Sequence, residues 1–398
     1  MTVSLPFPTL DDVDWRGRRV VVREDFNVPL AEGRVASDAR LRAALPTLRL
    51  LLEGGARVAC LSHLGRPRGA WDPALSLAPV AAALGELLGE PVRLCANPDS
   101  LASGWEGTER VLLLENLRFF PGEGRDEEAW GRVLGTLGDV YVMDAFATAH
   151  RAEASTHAAV RAAPRACAGP LLVREVEAIA RAWDKPEPPV VAIVGGAKVS
   201  TKFALLGALL ERISTLLLGG GILNTVLAAR GVAVGRSLHE PGEVAATAAL
   251  LARARERGVD VPLPVDVVVA RALDSTAEAD VRPLAAVGPE EMILDVGPET
   301  VAAWAPACRG AGTVLWNGPL GVFEYPQFAD GTRGIARAVA QSRGYTLAGG
   351  GDTLAALERF GLLDAISYCS TGGGAFLTFL EGGRMPALEA LRARRGAG

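Results

Sequence analysis

Lysine is nearly absent. Of 41 basic residues in the 398-residue chain, only Lys185, Lys198 and Lys202 are not arginine. Cysteine is sparse as well: the five, at positions 60, 95, 167, 308 and 369, include no C-x-x-C pair. Their wide spacing suits neither a zinc site nor a disulfide framework. An odd count fits a reducing compartment, so the expected location is the cytoplasm. There is no basic excess either, since 46 acidic residues leave a net charge of −5. A nucleic-acid backbone needs a basic surface and stacking aromatics, so no nucleic-acid partner is expected. No apolar run approaches the roughly 20 residues of a membrane helix. The opening MTVSLPFPTLDDVDW lacks the basic-then-apolar order of a signal peptide. No G-x-x-x-x-G-K-[ST] loop is present, and no G-x-G-x-x-G follows an apolar run, which excludes a P-loop NTPase and an ordinary dinucleotide site.

What the chain does contain is apolar residues, 49% of the total against 22% charged, enough for two full cores at this length. Short apolar runs alternate with amphipathic stretches, the βαβα pattern of an open parallel sheet. Strands are expected at Arg19–Val22, Val58–Leu61, Val111–Leu114 and Val140–Met143 in the first half. In the second half they are expected at Val190–Val194, Leu216–Leu218, Val265–Val269, Val314–Trp316 and Thr346–Ala348. Leu41, Leu45, Leu48 and Leu52 give Asp38–Glu53 a helical apolar face, bent at Pro46 and stopped at Gly54-Gly55. Further helices are expected over Val199–Arg212 and Asp352–Phe360. Between the halves a helix over Leu171–Trp183 runs into the stiff Lys185-Pro186-Glu187-Pro188-Pro189, the best candidate boundary.

The polar clusters of the first half follow the strand ends. They are Arg23-Glu24-Asp25-Phe26-Asn27, Ser62-His63-Leu64-Gly65-Arg66-Pro67, Glu115-Asn116-Leu117-Arg118 and Asp144 through His150-Arg151. The carboxyl ends of strands line the ligand crevice of an open α/β sheet. Arg23, His63, Arg66, Arg118, His150 and Arg151 are thus expected along one edge, with Arg40 joining from the first helix. Any single arginine reads as a surface ion pair. Several converging guanidinium groups read as a carboxylate and phosphate site.

The second half uses glycine. Gly195-Gly196, Gly219-Gly220-Gly221, Gly349-Gly350-Gly351 and Gly372-Gly373-Gly374 all follow apolar runs. One such cluster is most simply a tight strand-to-helix turn. Four beside Lys198 and Lys202 favour nucleotide phosphates, approached by backbone N–H groups and helix N-termini. Lys198 and Lys202 are expected four residues apart on the opening turn of a helix, pointing along one face. Asp352 either caps a helix or holds Mg²⁺ on the nucleotide phosphates. Glu324 is either a surface glutamate or a ribose ligand.

Eight motifs in order carry a family resemblance: REDFNVP (Arg23–Pro29), SHLGRP (Ser62–Pro67), LENLRF (Leu114–Phe119), DAFATAHR (Asp144–Arg151), GGAKVS (Gly195–Ser200), LWNGPLGVFE (Leu315–Glu324), GGGDT (Gly349–Thr353) and STGGGAF (Ser370–Phe376). Together they resemble the phosphoglycerate kinase family. The resemblance implies an α/β fold of two similar-sized Rossmann-like parallel-sheet domains joined by a hinge helix, a bilobal, hinge-bending monomer. It implies an N-terminal domain over 1–168 with the tail 377–398 packed on it, a hinge over 169–183 and a nucleotide domain over 184–376. Substrates would be 3-phosphoglycerate or 1,3-bisphosphoglycerate, held by Arg23, Asp25, Phe26, Asn27, Arg40, His63, Leu64, Gly65, Arg66, Arg118, His150 and Arg151. ATP or ADP with Mg²⁺ would be held by Gly196, Ala197, Lys198, Lys202, Gly220, Asn317, Pro319, Glu324, Gly350, Gly351, Asp352 and Thr353, the metal through Asp352. Arg40, Lys198, Lys202, Gly350 and Gly373 would act on the transferring phosphoryl group. Five positions depart from the family pattern: Thr201 stands for aspartate, Glu153 for a frequent histidine, Ala147 for glycine, Glu24 for a hydrophobic residue and Thr378 for glutamate.

Charge explains why such a set needs no general base. The acceptor carboxylate is already ionised at neutral pH. The barrier is the approach of anions, about 4 kcal/mol per pair of unit charges at 4 Å and an effective dielectric near 20. Two other readings compete. One is another ATP-dependent carboxylate kinase on the same scaffold, which would not need so many first-half arginines. The other is a catalytically silent binding protein, which would be free to lose Arg40, Lys202 or Asp352.

Overall fold

A computed structural model describes residues 5–67 and 69–395. The ends of the expected domain ranges, residues 1–4 and 396–398, lie outside the described residues, as does residue 68. The chain forms two compact units, one of residues up to Glu177 together with those from Gly383 onward, the other Ala178–Gly382.

The first unit is built on a six-stranded parallel sheet. Its order is Val92–Cys95, Val111–Leu114, Arg57–Leu61, Arg19–Arg23, Val140–Met143, Ala166–Ala168. Both faces of such a sheet are covered, so its strands are apolar throughout rather than alternating. Val20, Val21, Val22 and Val111 through Leu114 are accordingly buried. The helix Ala39–Glu53 buries Leu41, Leu45, Leu48, Leu51 and Leu52, and Pro46 lies inside it. It also buries Thr47, whose hydroxyl donates to Asp144 Oδ2 at 2.6 Å. Asp144 Oδ1 in turn accepts the N–H of Leu172, in the first turn of the helix Pro170–Trp183. This carboxylate therefore ties that helix to a strand end. The helix Pro386–Ala393 also belongs to the first unit, where Ala387 N–H donates to the Ala149 carbonyl at 3.2 Å.

The second unit holds a five-stranded parallel sheet in the order Thr215–Leu218, Val190–Val194, Thr313–Asn317, Tyr345–Gly349, Tyr368–Ser370. One expectation needs correction. The apolar run at Val265–Val269 groups with the parallel strands by composition. The strand is instead Asp266–Ala270 and sits at the centre of a separate antiparallel sheet, between Asp280–Pro283 and Met292–Val296. An apolar run reports burial and does not say which sheet provides it. Among the described residues, no helix is long and apolar enough to cross a membrane. Cys60, Cys95, Cys167 and Cys308 are free and buried, and burial pushes the Cys308 thiol up to about 12.

Candidate active site

The loops after the first unit's strands are braced by one another. Phe26 N–H donates to Ser62 Oγ at 2.8 Å, and Gly65 N–H to Asn27 Oδ1 at 2.9 Å. Asn116 accepts from Leu64 N–H at 3.1 Å and donates through Nδ2 to the Leu64 carbonyl at 2.7 Å. Arg118 Nη1 donates to the Gly65 carbonyl at 2.7 Å. Phe26 and Leu64 are buried, and their N–H groups are used within these loops. Asp25 Oδ2 accepts from Arg40 Nη1 at 2.7 Å, and the same nitrogen donates to the Asn27 carbonyl at 3.0 Å. Arg66 is exposed, while Arg40, Arg118, His150 and Arg151 are half-buried. A cavity of about 690 Å³ is lined by Arg66, Arg118, Arg151 and Glu153, among others.

Arg23 departs from its expected position on the crevice edge. It is fully buried. Its Nε donates to Ser155 Oγ at 2.8 Å, its Nη1 to the Glu24 carbonyl, and its Nη2 lies 3.2 Å from His63 Nδ1. It is the last residue of its strand, so its side chain points into the packed interior and braces His63 from behind. Ser155 is held by Glu123, whose carboxylate accepts both its N–H and its hydroxyl. Burial pushes the Glu123 carboxyl up to about 7, with Arg23 opposing the shift. Burial also drives the His63 imidazole well below its ordinary value, and Arg23, Arg118, Arg151 and Arg40 add to this. His63 is therefore neutral at physiological pH. His150 is lowered too, first by burial and then by Arg151.

The second unit's glycines serve loop-on-loop packing. A Cβ on Gly195 would sit 1.8 Å from the Pro319 carbonyl oxygen, and one on Gly221 2.1 Å from that of Ala197. Gly195 N–H donates to the Asn317 carbonyl and Gly220 N–H to that of Leu320, at 3.0 and 2.8 Å. These two donors are used inside the protein, which favours the turn reading for them over the phosphate reading. The GGGDT segment differs. Gly350, at φ +100°, opens the helix Gly351–Arg359, whose first-turn N–H groups have no acceptor within the helix. Thr353 Oγ1 accepts from Gly318 N–H at 2.7 Å and ties this helix start to the LWNGPLGVFE loop. Gly373 has φ +51° just before the helix Gly374–Leu380.

The lysine pair is also corrected. The expected helix start at Val199 is a short 3-10 turn, Ser200–Lys202, and the α-helix runs only from Phe203 to Leu209. Lys198 lies before the turn and is exposed; Lys202 ends it. They do not share an α-helical face. Thr201 is exposed and donates through Oγ1 to the Lys198 carbonyl at 2.9 Å, which closes the turn. Lys202 Nζ donates to Asn317 Oδ1, and burial lowers its ammonium from the ordinary value, opposed by Glu381 and Asp352. Ala197, Glu324 and Asp352 are exposed, whereas Pro319 is half-buried and Asn317 buried. Among the described residues, no three His, Cys, Asp or Glu side chains gather to hold a metal. One exposed carboxylate suits Mg²⁺, which keeps most of its waters and takes its remaining ligands from phosphates.

Sequence reasoning missed the bracing residues Glu123 and Ser155, and Glu381, whose charge acts on Lys202. Asn116 lay inside a quoted motif and was available as a loop brace. Glu381 carries no local signal, because its relation to Lys202 exists only in three dimensions.

Known proteins are similar in sequence and fold. The family model described as phosphoglycerate kinase matches residues 10–383. A curated phosphoglycerate kinase from Nitratidesulfovibrio vulgaris (strain Miyazaki F) is 52% identical over 391 residues, 98% of this chain and 99% of that protein. The structure of phosphoglycerate kinase from Coxiella burnetii is 47% identical with a TM-score of 0.90, covering 98% of this chain and 100% of its own. That from Pyrococcus horikoshii OT3 is 30% identical with a TM-score of 0.81, covering 97% and 99%. With the fold, the ordered motifs and near-complete coverage in agreement, the chain belongs to the phosphoglycerate kinase family.

Proposed function

We propose that the two units divide one phosphoryl transfer, the first holding the glycerate and the second the nucleotide. The enzyme is a glycolytic kinase with a carboxyl group as acceptor. It moves a phosphoryl group reversibly between 1,3-bisphosphoglycerate and ADP, giving 3-phosphoglycerate and ATP. The observation that carries the division is the first unit's cross-braced loops, which bring Arg40, Arg66, Arg118 and Arg151 to the carboxyl ends of its strands.

In the ATP-consuming direction the attacking carboxylate needs no base, and burial with the nearby arginines leaves His63 a weaker base than an ordinary imidazole. His63 donates a hydrogen bond to the glycerate. Asp25 and the Asn27 carbonyl hold Arg40 through one nitrogen, so its remaining N–H groups are directed at the transferring phosphoryl group. Lys202 is held on Asn317 and offsets charge from the nucleotide side, with Lys198 as a mobile second cation. Phosphates rest on the N-terminus of Gly351–Arg359. Magnesium, held by Asp352 through the nucleotide, supplies charge neutralisation across the phosphates. The protein works in the cytoplasm as a monomer.

Transfer requires both substrates in one water-excluded space, and different units carry them. We therefore assign the helix Pro170–Trp183 as the hinge of a closure on binding. Small-angle scattering with both substrates should give a smaller radius of gyration than with either alone; an unchanged value overturns the closure. The function itself is tested with magnesium ATP and either 3-phosphoglycerate or glycerate in a coupled dehydrogenase assay. Turnover confined to 3-phosphoglycerate is expected. Turnover with glycerate alone would reassign the acceptor, and none with either would make the chain a binding protein.

A further inference from the structure

The proposed phosphate cradle contains an anion of its own. Glu153 is 8% exposed and follows Arg151 by two residues. Its Oε1 accepts from Arg118 Nη2 at 2.8 Å and lies 3.8 Å from Arg151 Nη1. Its other oxygen, Oε2, is buried and has no hydrogen-bond partner. The same carboxylate lines the 690 Å³ cavity with Arg66, Arg118 and Arg151. Three guanidinium groups suit an arriving phosphate; a carboxylate among them opposes it.

We propose that Glu153 is a counter-anion built into the phosphate cradle, which pairs with Arg118 and Arg151 while the cradle is empty and competes with the phosphate of 3-phosphoglycerate for their guanidinium groups. This rests on the reading that these arginines hold that phosphate. Glu153 N–H is bonded to Thr156 Oγ1, and the next residue's N–H to the Glu123 carbonyl. That pins the backbone on both sides, and the carboxylate is already enclosed, so it stays in the cradle as the phosphate arrives.

The charged groups facing Glu153 come from several elements. Arg66, Arg118 and Arg151 line the cavity with it, and the buried Glu123 carboxyl is near enough to be raised by its charge. His150 adds no positive charge near neutral pH, because burial and Arg151 lower it. A phosphate arriving on the arginines meets a like charge already held there, which opposes its binding. The device keeps three clustered guanidinium groups from repelling one another in the free enzyme, at the expense of substrate affinity.

The test compares wild type, E153Q and E153A by calorimetric titration with 3-phosphoglycerate. E153Q should bind about tenfold more tightly than wild type near neutral pH. E153A should follow in the same direction. Unliganded E153Q should melt at a lower temperature than wild type and gain more from 3-phosphoglycerate. Equal affinity in all three proteins overturns the proposal. R118M separates this from failure of the underlying reading. If R118M binds 3-phosphoglycerate as wild type does, the cradle assignment falls and the counter-anion with it. If R118M is weakened while E153Q matches wild type, only the counter-anion falls.

Discussion

Arg40 is held by a single nitrogen. Among the described residues, its hydrogen bonds to Asp25 Oδ2 and the Asn27 carbonyl both use Nη1. In the proposed mechanism, Nε and Nη2 would be the donors that meet the transferring phosphoryl group. Preorganised donors of this kind act on the transition state more than on the ground state. R40A should therefore lower kcat by on the order of 10³ while calorimetry shows each substrate still binding within a few-fold of wild type. Near-normal turnover would take Arg40 out of the mechanism. The contrast with Arg23 is instructive. Arg23 opens the REDFNVP motif and Arg40 bonds to Asp25 and Asn27 within it, yet Arg23 is spent on Ser155, His63 and a carbonyl. A motif says that a residue matters and leaves open whether it touches substrate or holds the residue that does.

At the scale of elements, the loops of the second unit depend on backbones passing closer than any side chain allows. Gly195 is the tightest case, with a Cβ position 1.8 Å from the Pro319 oxygen. G195A must push the LWNGPLGVFE loop away from the GGAKVS loop and stretch the Gly195 N–H bond to Asn317, the residue that holds Lys202. Urea denaturation should show a loss of about 2–3 kcal/mol. ADP titration should show weaker binding, with 3-phosphoglycerate binding retained; a variant with normal stability and ADP affinity would mean that the loops have room. These loops also mark where the sequence was legible. Strands buried on both faces read directly, and Val111–Leu114, Val140–Met143 and Val190–Val194 fall where the apolar runs end. Strands with mixed composition, Val92–Cys95 and Asp280–Pro283, did not, because both are sheet edges largely open to solvent and carry no continuous apolar run. Lys198 and Lys202 were found as a pair, but the helix between them failed: Ser200 is drawn by its N–H and hydroxyl onto Glu240, forty residues on. The arginines were legible as a group because strand ends deliver them. Their internal partner Glu153 was noticed only as an odd residue, since a salt bridge to Arg118 has no sequence periodicity.

Across the whole molecule, several carboxyl groups are buried without a cation, and they shape the response to pH. Glu24 is fully buried, and burial together with nearby Asp144 raises it well above the ordinary range. Asp295 is the best-defined case. It accepts Val296 N–H at 2.9 Å and Gly331 N–H at 2.7 Å, and Cβ atoms at Gly321 and Gly331 would fall 2.2 and 2.4 Å from its Oδ1. Burial pushes its carboxyl up to about 8, opposed by those N–H groups and aided by Asp330. The folded protein thus keeps a proton that the unfolded chain releases above its ordinary value of 3.8. Its contribution to stability is fully present below that value and is lost as pH rises to about 8, with a slope of at most about 1.4 kcal/mol per pH unit. His63 works in the opposite sense: its lowered value removes stability as pH falls below 6.5. Comparing D295N with wild type isolates the first effect, because every other group is common to both. Urea unfolding between about pH 5 and 9 should show wild type losing stability relative to D295N up to about pH 8, after which the difference levels off. A difference that stays flat across this range would mean that Asp295 is ionised in the fold, its charge carried by the two backbone N–H groups alone.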